Sequence, residues 1–445
     1  MDTLCVEEIS LTGLMLDLMK VVPSLADQEG AALHLLDWLG CALAGAATST
    51  GRAMAVAAGA TECPFSGSRS SIPEHAFALG SFGSLLEMDD VHRAAILHPG
   101  PVVWPAVIAC TSSENTARAP EAALRGYEAM IRLGTSVGAG HYAKFHNSST
   151  CGGLGSTVAA CWMLELSEEE TQWAMAHALS TSGGLWECRN EPGATKHLHV
   201  AEAARRGVQA ALAARAGIAG PKRILEGALG FFAGLAPDGT PANLLKEEPW
   251  MLHQTSFKPW PACRHTHPTI DATLALRDMK LKRPEHIVIE TYADAVLFCD
   301  NPDPVDTGAA KFSLQHVVAV ALADGPPKLD AFETAAIRRA DLAAIRQICR
   351  VIENKEMTAA YPAHFGAKVR VTTSDTETVV DVRDAWGDTE NPMSPAAVIE
   401  KFEMLAAWAG IKSDPLRAAA LDTQNGAYLL RGLLDILPAP LNKEV

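Results

Sequence analysis

The chain has 445 residues, 48% of them hydrophobic, and 37 Lys and Arg against 52 Asp and Glu give it a formal charge of −15. This length and apolar content call for a folded protein of two or three domains, and the acidic balance excludes binding to nucleic acid by phosphate neutralisation. No run of about eighteen apolar residues occurs, because the longest stretch, around 35–47, is broken by Asp37 and glycines, so no membrane partner is expected. The ten cysteines are scattered without a CxxC pair and the N-terminus lacks the order of a signal peptide, which places the chain in a reducing cytoplasm.

From about Glu7 to Leu235 the pattern is one of successive Ala- and Leu-rich helices. Pro120 fits a first helical turn, and Gly134 follows the apolar face of Ala123, Tyr127, Met130 and Ile131 as a stop. Ser167 with Glu170 forms a capping box that opens a helix running towards Thr181, and 200–216 is a further helix whose small residues suit close packing. The period changes near Pro259. Ile287, Ile289 and Thr291 alternate with their neighbours, as do Val369, Val371 and Thr373, and with 378–382 the segment 367–383 reads as an antiparallel hairpin turning at 374–377. The stretches 314–322 and 342–352 read as helices, and Ser394 with Pro395 opens a return to helix through Trp408 to Leu437.

Four short clusters interrupt this background: EMDDVHRAAILHPG at 87–100, GHYAKFHNSSTCGGLG at 140–155, TKHLH at 195–199 and FKPWPACRHTH at 257–267, which together hold eight of the fifteen histidines. Groups that titrate near neutrality beside fixed positive charge are what proton transfer on an anionic substrate requires. Glu87, Asp89, Asp90, His92 and His98 crowd a segment leaving a helix, where carboxylate repulsion raises a pKa or where a helix end is merely solvated. His146 stands in a polar stretch and reads as an unburied loop histidine, before glycines 152, 153 and 155 that either face an anion from a helix start or serve tight packing. Lys196 and His199 share one helix face, with His197 directed elsewhere. A lysine at the positive end of a helix dipole is electrostatically disfavoured and therefore telling, the alternative being a solvated lysine before the helix. Lys258, Arg264, His265 and His267 surround the Pro-Trp-Pro at the change of period, where a cleft between domains is expected. The H-x-H pairs 197/199 and 265/267, with Asp89 and Asp90, are an alternative set of metal ligands, although no established metal spacing accompanies them.

In this order the clusters, together with LDWLGCALAGA at 36–46, HAFALGSFGSLLEMDDV, HPG and AKFSLQHVVAVALADG at 310–325, resemble the MmgE/PrpD family, which includes 2-methylcitrate dehydratase, cis-aconitate decarboxylase and iminodisuccinate epimerase. The resemblance spans nearly the whole chain. It implies a mainly α fold: a large all-helical domain from both chain ends, residues 1–262 and 400–445, with a smaller inserted α+β lid at 263–399, paired as a homodimer and using no metal or organic cofactor. His98, His146, Lys196 and Lys258 match the family's basic pocket residues, and Glu87, Asp89 and Asp90 its acidic motif. The chain departs from decarboxylase-like members at Val91, Cys263 and Phe298, where they carry threonine, histidine and tyrosine; Cys263 is similar to epimerase-type members.

The expectation is therefore an acid/base enzyme acting at carbon beside a carboxylate. Lys196 and Lys258, with Arg264, hold the substrate's carboxylates, and His98 and His146 exchange the protons. Asp90 is grouped with the catalytic residues, and His199, His267, Glu87, Asp89 and Cys263 with substrate binding. A dehydratase acting on a small di- or tricarboxylate is the first reading, an epimerase the second, and a non-catalytic polycarboxylate binder the alternative from another class.

Overall fold

A computed structural model describes residues 10–59, 65–66, 70–191, 193–245 and 250–437. The part of the Glu7 expectation on residues 7–9 lies outside them; the first described helix is Leu11–Leu18. The chain is mainly helical, with one small sheet. Among the described residues no helix is long and apolar enough to cross a membrane.

The helix starts follow from local chemistry. Ser24 with Asp27, and Ser167 with Glu170, form complete capping boxes at Leu25–Ala46 and Glu168–Ser180. Ser394 accepts from Ala397 N–H and Pro395 occupies the first turn of Pro395–Trp408. Small residues then set how closely the helices approach. Helix Thr195–Arg215 packs against Ile72–Ser84 and Gly152–Met163, and a Cβ on Gly207 would stand 2.0 Å from Ser156 Oγ. Gly155 is equally constrained, since its Cβ would lie 2.7 Å from Met130 Cβ and 2.8 Å from Gly126 O. The glycines after His146 therefore serve packing, the plainer of the two readings of that motif.

The largest apolar core joins residues from Met15 to Leu252 with Phe402, Leu416 and Leu430 from the C-terminal helices. A separate core gathers Ile287, Ile289, Val369 and Val371 with Leu276, Leu314 and Cys299. Its sheet runs β2-β1-β3-β4, with β1 His286–Thr291, β2 Cys349–Glu353, β3 Ala367–Thr372 and β4 Glu377–Val382. β3 is antiparallel to β1, Ile289 opposite Val369, and to β4, Val371 opposite Thr378. The hairpin at 367–383 is as expected.

One element differs. The helix expected over 342–352 stops at Gln347, and Cys349–Glu353 is instead strand β2, parallel to β1 with Ile289 opposite Val351. A short apolar run fits both periods. What decides is the free edge of β1, which offers β-branched Val351 and Ile352 a ladder that the sequence window does not contain.

Several histidines are buried uncharged. Burial pushes His75 down to about 4, His92 to about 3 and His316 to about 4. Their unfolded value is about 6.5, so below that pH the unfolded chain binds protons that the folded chain refuses. The stability they contribute is complete above about pH 6.5 and lost progressively towards pH 4. Urea midpoints should therefore fall steeply between pH 7 and pH 5. His75, whose Nε2 meets Phe65 O at 2.9 Å, supplies the control: His75→Gln should reduce that slope by about one proton's worth, and an unchanged slope would count against the assignment.

Candidate active site

Helix Ile72–Ser84 ends in a loop that carries the acidic motif, and the path of this loop is fixed through its carbonyls. Lys311 Nζ donates to Leu86 O at 3.2 Å, Lys401 Nζ to Met88 O at 2.5 Å, and His98 Nδ1 to Asp90 O at 3.0 Å. Val91 and Ser256 exchange backbone hydrogen bonds of 2.9 and 2.8 Å. Between the first two anchors Glu87 sits at φ +57°, a left-handed conformation that a residue with a side chain adopts only under constraint.

Glu87 is the hub of the site. Its carboxylate pairs with Lys196 Nζ and lies 3.5 Å from Lys258 Nζ. Burial opposes the charge, but Lys196 and then Lys258 outweigh it and hold Glu87 well below the usual carboxylate range. In return, Glu87 overcomes the cost of burying Lys196 and raises the pKa of its amine. Lys196 is the second residue of helix Thr195–Arg215, so the disfavoured charge noted in the sequence has its anion. Lys258 is fully buried and its Nζ has no hydrogen-bond partner among the described residues.

His98 Nδ1 also lies 3.0 Å from Asp89 Oδ2. Burial opposes ionisation of Asp89, and the pairing with His98 overcomes it and lowers the carboxyl's pKa. His146 caps the short helix Asn147–Thr150, its N–H donating to Gly184 O at 2.9 Å. Its ring centroid lies 4.5 Å from that of Trp186 and 5.7 Å from that of His199. The sequence expectation of an unburied His146 is corrected: the residue is 2% exposed and its Nδ1 has no hydrogen-bond partner among the described residues. Helix Thr195–Arg215 and Trp186 cover the polar stretch, which is tertiary information. Burial, then the positive fields of Lys196, His199 and His98, hold His146 neutral, well below its ordinary pKa.

Cys263 lies in the same field. Despite burial, the neighbouring Cys299 thiol lowers its pKa. His199 is half-buried, and burial followed by Arg206 lowers its pKa. His197, expected to point elsewhere, bonds Ser84 Oγ at 3.1 Å at the end of the helix leading to Glu87, whose charge opposes the burial that pushes it to about 4.

The remaining candidates are held in other networks. Asp90 accepts from Tyr127 Oη at 2.7 Å, Gly100 N–H at 2.8 Å and His34 Nδ1 at 2.8 Å. Arg264 pairs with buried Asp388, which Arg93 also approaches at 3.2 Å. His267 Nε2 meets Ala262 O at 3.1 Å, and His265 Nδ1 meets Tyr292 Oη at 2.5 Å between the rings of Phe298 and Phe365. The H-x-H pairs do not converge with Asp89 and Asp90 into a ligand set. Among the described residues the one triad with metal-ligand spacing is His364, Asp384 and Glu390, and Arg93 and Arg383 already occupy it. A cavity of about 210 Å³ lined by His34, Phe257 and Asp388 has none of Glu87, Lys196 and Lys258 in its wall.

Sequence reasoning missed two lysines, Lys311 and Lys401. Lys311 lay inside a quoted motif, and nothing local marked Lys401.

Residues 22–243 match the MmgE/PrpD N-terminal domain and residues 260–423 the MmgE/PrpD C-terminal domain. The chain belongs to the MmgE/PrpD family. It is 28% identical to cis-aconitate decarboxylase of Homo sapiens, over 74% of this chain and 71% of that protein. It is 27% identical to the Mus musculus protein of the same name, over 74% and 70%. Identity to the cis-aconitate decarboxylase-like protein oryM of Aspergillus oryzae is 26%, over 74% of each.

Lys401 also pairs with Asp37 Oδ1 at 2.6 Å, both buried. Burial pushes the Asp37 carboxyl up to about 6, Lys401 being the main opposing charge. Lys401→Met should cost about 3–5 kcal/mol at pH 8, because it strands a buried carboxylate. Combining it with Asp37→Asn should recover most of the loss in urea unfolding; equal losses in the single and double variants would show that the pair is not what matters.

Proposed function

We propose that this member of the MmgE/PrpD family is a lyase that removes or adds a proton on carbon beside a carboxylate, using its own side chains without a cofactor. The reaction is dehydration or hydration of a small di- or tricarboxylate. The observation that carries the reading is the placement of buried Lys258 and part-buried Lys196 around Glu87 with two histidines beside them. Cations so placed, in a region of low dielectric, meet the charge that develops on an already anionic substrate.

The geometry supports the following roles. Lys258, with no hydrogen-bond partner of its own, and Lys196 take the substrate's carboxylates. His146, held neutral, is the base that accepts the carbon-bound proton. His98, with Nδ1 held by Asp89 and the Asp90 carbonyl, keeps Nε2 for the departing hydroxyl and hands it a proton, while Asp89 stabilises the imidazolium before the transfer. Asp90 is a brace, and Arg264 and His267 shape the wall. On the same reading residues 1–262 and 400–445 are the body and 263–399 the lid, supported by their separate cores, and a homodimer in the cytoplasm is the working form.

Epimerisation is the second reading, favoured by Cys263. A buried thiol with a lowered pKa beside Glu87 and Lys196 supplies a second proton-exchanging group without a leaving group. Decarboxylation, the activity in the names of the relatives, is less well supported, because the chain has Cys263, Phe298 and Val91 where the resemblance to decarboxylase-like members implies polar groups.

Incubation in heavy water with citrate, methylcitrate and succinate derivatives tests the reading. Carbon-bound deuterium together with loss of water identifies a dehydratase, deuterium with inversion an epimerase, and release of carbon dioxide a decarboxylase. Binding without exchange or product would leave a polycarboxylate binder and overturn the proposal. His146→Ala should lower turnover by about 10²–10⁴-fold, with binding of a substrate analogue retained; unchanged turnover removes His146 from the chemistry. Lys258→Ala should raise KM for anionic substrates and lower kcat as well, because the charge it meets grows towards the transition state. A loss of folding stability with unchanged kinetics would make that lysine structural.

A further inference from the structure

Lys311 differs from the other lysines around the acidic loop in its partner. Lys196 and Lys258 have Glu87 and Lys401 has Asp37, whereas Lys311, 4% exposed, has its amine 3.2 Å from the neutral carbonyl of Leu86 and, among the described residues, no carboxylate at ion-pair distance. A buried ammonium without an anion is costly, and the usual escape is to lose the proton. The groups around it nearly cancel. Glu87 and Asp89 on the acidic loop favour its charge, Lys258 before the Pro-Trp-Pro and Lys196 on helix Thr195–Arg215 oppose it, and His197, on the same helix, also feels Lys311. On its own element the backbone carbonyl of Lys311 accepts from Cys263 N–H at 2.9 Å, tying it to the cysteine segment. Burial, the largest influence, lowers the amine to about 8.

We propose that Lys311 is largely a neutral amine in the ligand-free protein at mildly alkaline pH and gains a proton from solvent when a polycarboxylate enters beside Lys196 and Lys258, so that capture of the ligand consumes a proton. The inference rests on the reading of the site as a polycarboxylate site. With Lys311 neutral, the lysines Lys196 and Lys258 balance the carboxylates Glu87 and Asp89. An arriving polyanion breaks that balance, and the amine already held beside the loop can answer with a positive charge without moving.

Isothermal titration of the full chain with citrate and with tricarballylate, which has no hydroxyl to lose, tests this in two buffers of different ionisation enthalpy between pH 6 and pH 9. The difference in heat counts the protons taken up. Uptake through Lys311 should be small at pH 6, where the amine is already charged, and approach about one proton per site near pH 9. Lys311→Arg, charged throughout, should bind comparably and lose the alkaline uptake; Lys311→Met should lose it too and bind about tenfold more weakly or worse, the size of one charge-assisted contact. Potentiometric titration without ligand gives a direct reading, since the wild-type protein should release one more proton than Lys311→Arg around pH 8. Binding with no alkaline uptake, or with uptake that persists in both variants, overturns the inference alone. Failure of both tricarboxylates to bind overturns it together with the functional reading.

Discussion

The path of one short loop, 86–90, governs the rest of the candidate site, and two buried lysine side chains from distant parts of the chain set it. Lys311 anchors the carbonyl before Glu87 and Lys401 the carbonyl after it. A left-handed glutamate costs on the order of 1–3 kcal/mol and persists only where its surroundings over-determine it. Here they do, because both carbonyl anchors and the Lys196 pairing would be lost if Glu87 relaxed to an ordinary backbone conformation. Its carboxylate is thereby delivered to the lysines without depending on the freedom of a flexible loop.

Consecutive acids on that loop take different tasks because successive side chains leave it in different directions. Glu87 meets lysines, Asp89 meets the Nδ1 edge of His98, and Asp90 turns to Tyr127, His34 and the first N–H of helix Gly100–Cys110. Asp90 is placed to stabilise the positive end of that helix dipole, so the helix carrying the HPG turn is fixed by the same segment that carries Glu87 and Asp89. His98 is thus gripped from two sides of one loop, by a carboxylate and by a carbonyl, and its tautomer follows from that grip.

Much of this was legible in the sequence. Caps at Ser167 and Ser394 depend on residues three apart, and the alternation at Ile287 and Val369 depends on residues two apart, so both lie within a short window. That Glu87, Asp89, His98, His146, Lys196 and Lys258 belong together was expected from residue type, order and family resemblance, and the chain gathers them around the acidic loop. Burial was not. His146 has polar neighbours in sequence and Trp186 and His199 in space; β2 has a helix-compatible run in sequence and the edge of β1 in space. Lys401, an unremarkable lysine in an amphipathic helix, becomes the partner of Asp37 only because helices Leu25–Ala46 and Pro395–Trp408 pack together.

The same distinction separates the two kinds of lysine in the site. A lysine whose anion belongs to the protein, such as Lys196 or Lys401, carries a charge that is settled when the chain folds. One whose nearest partner is neutral carries a charge that remains to be decided by what binds. Lys311, with a carbonyl as its hydrogen-bond partner, meets this second condition. A pocket built from both kinds has rigid geometry and adjustable charge, which suits a reaction in which negative charge first arrives with the substrate and then grows on it.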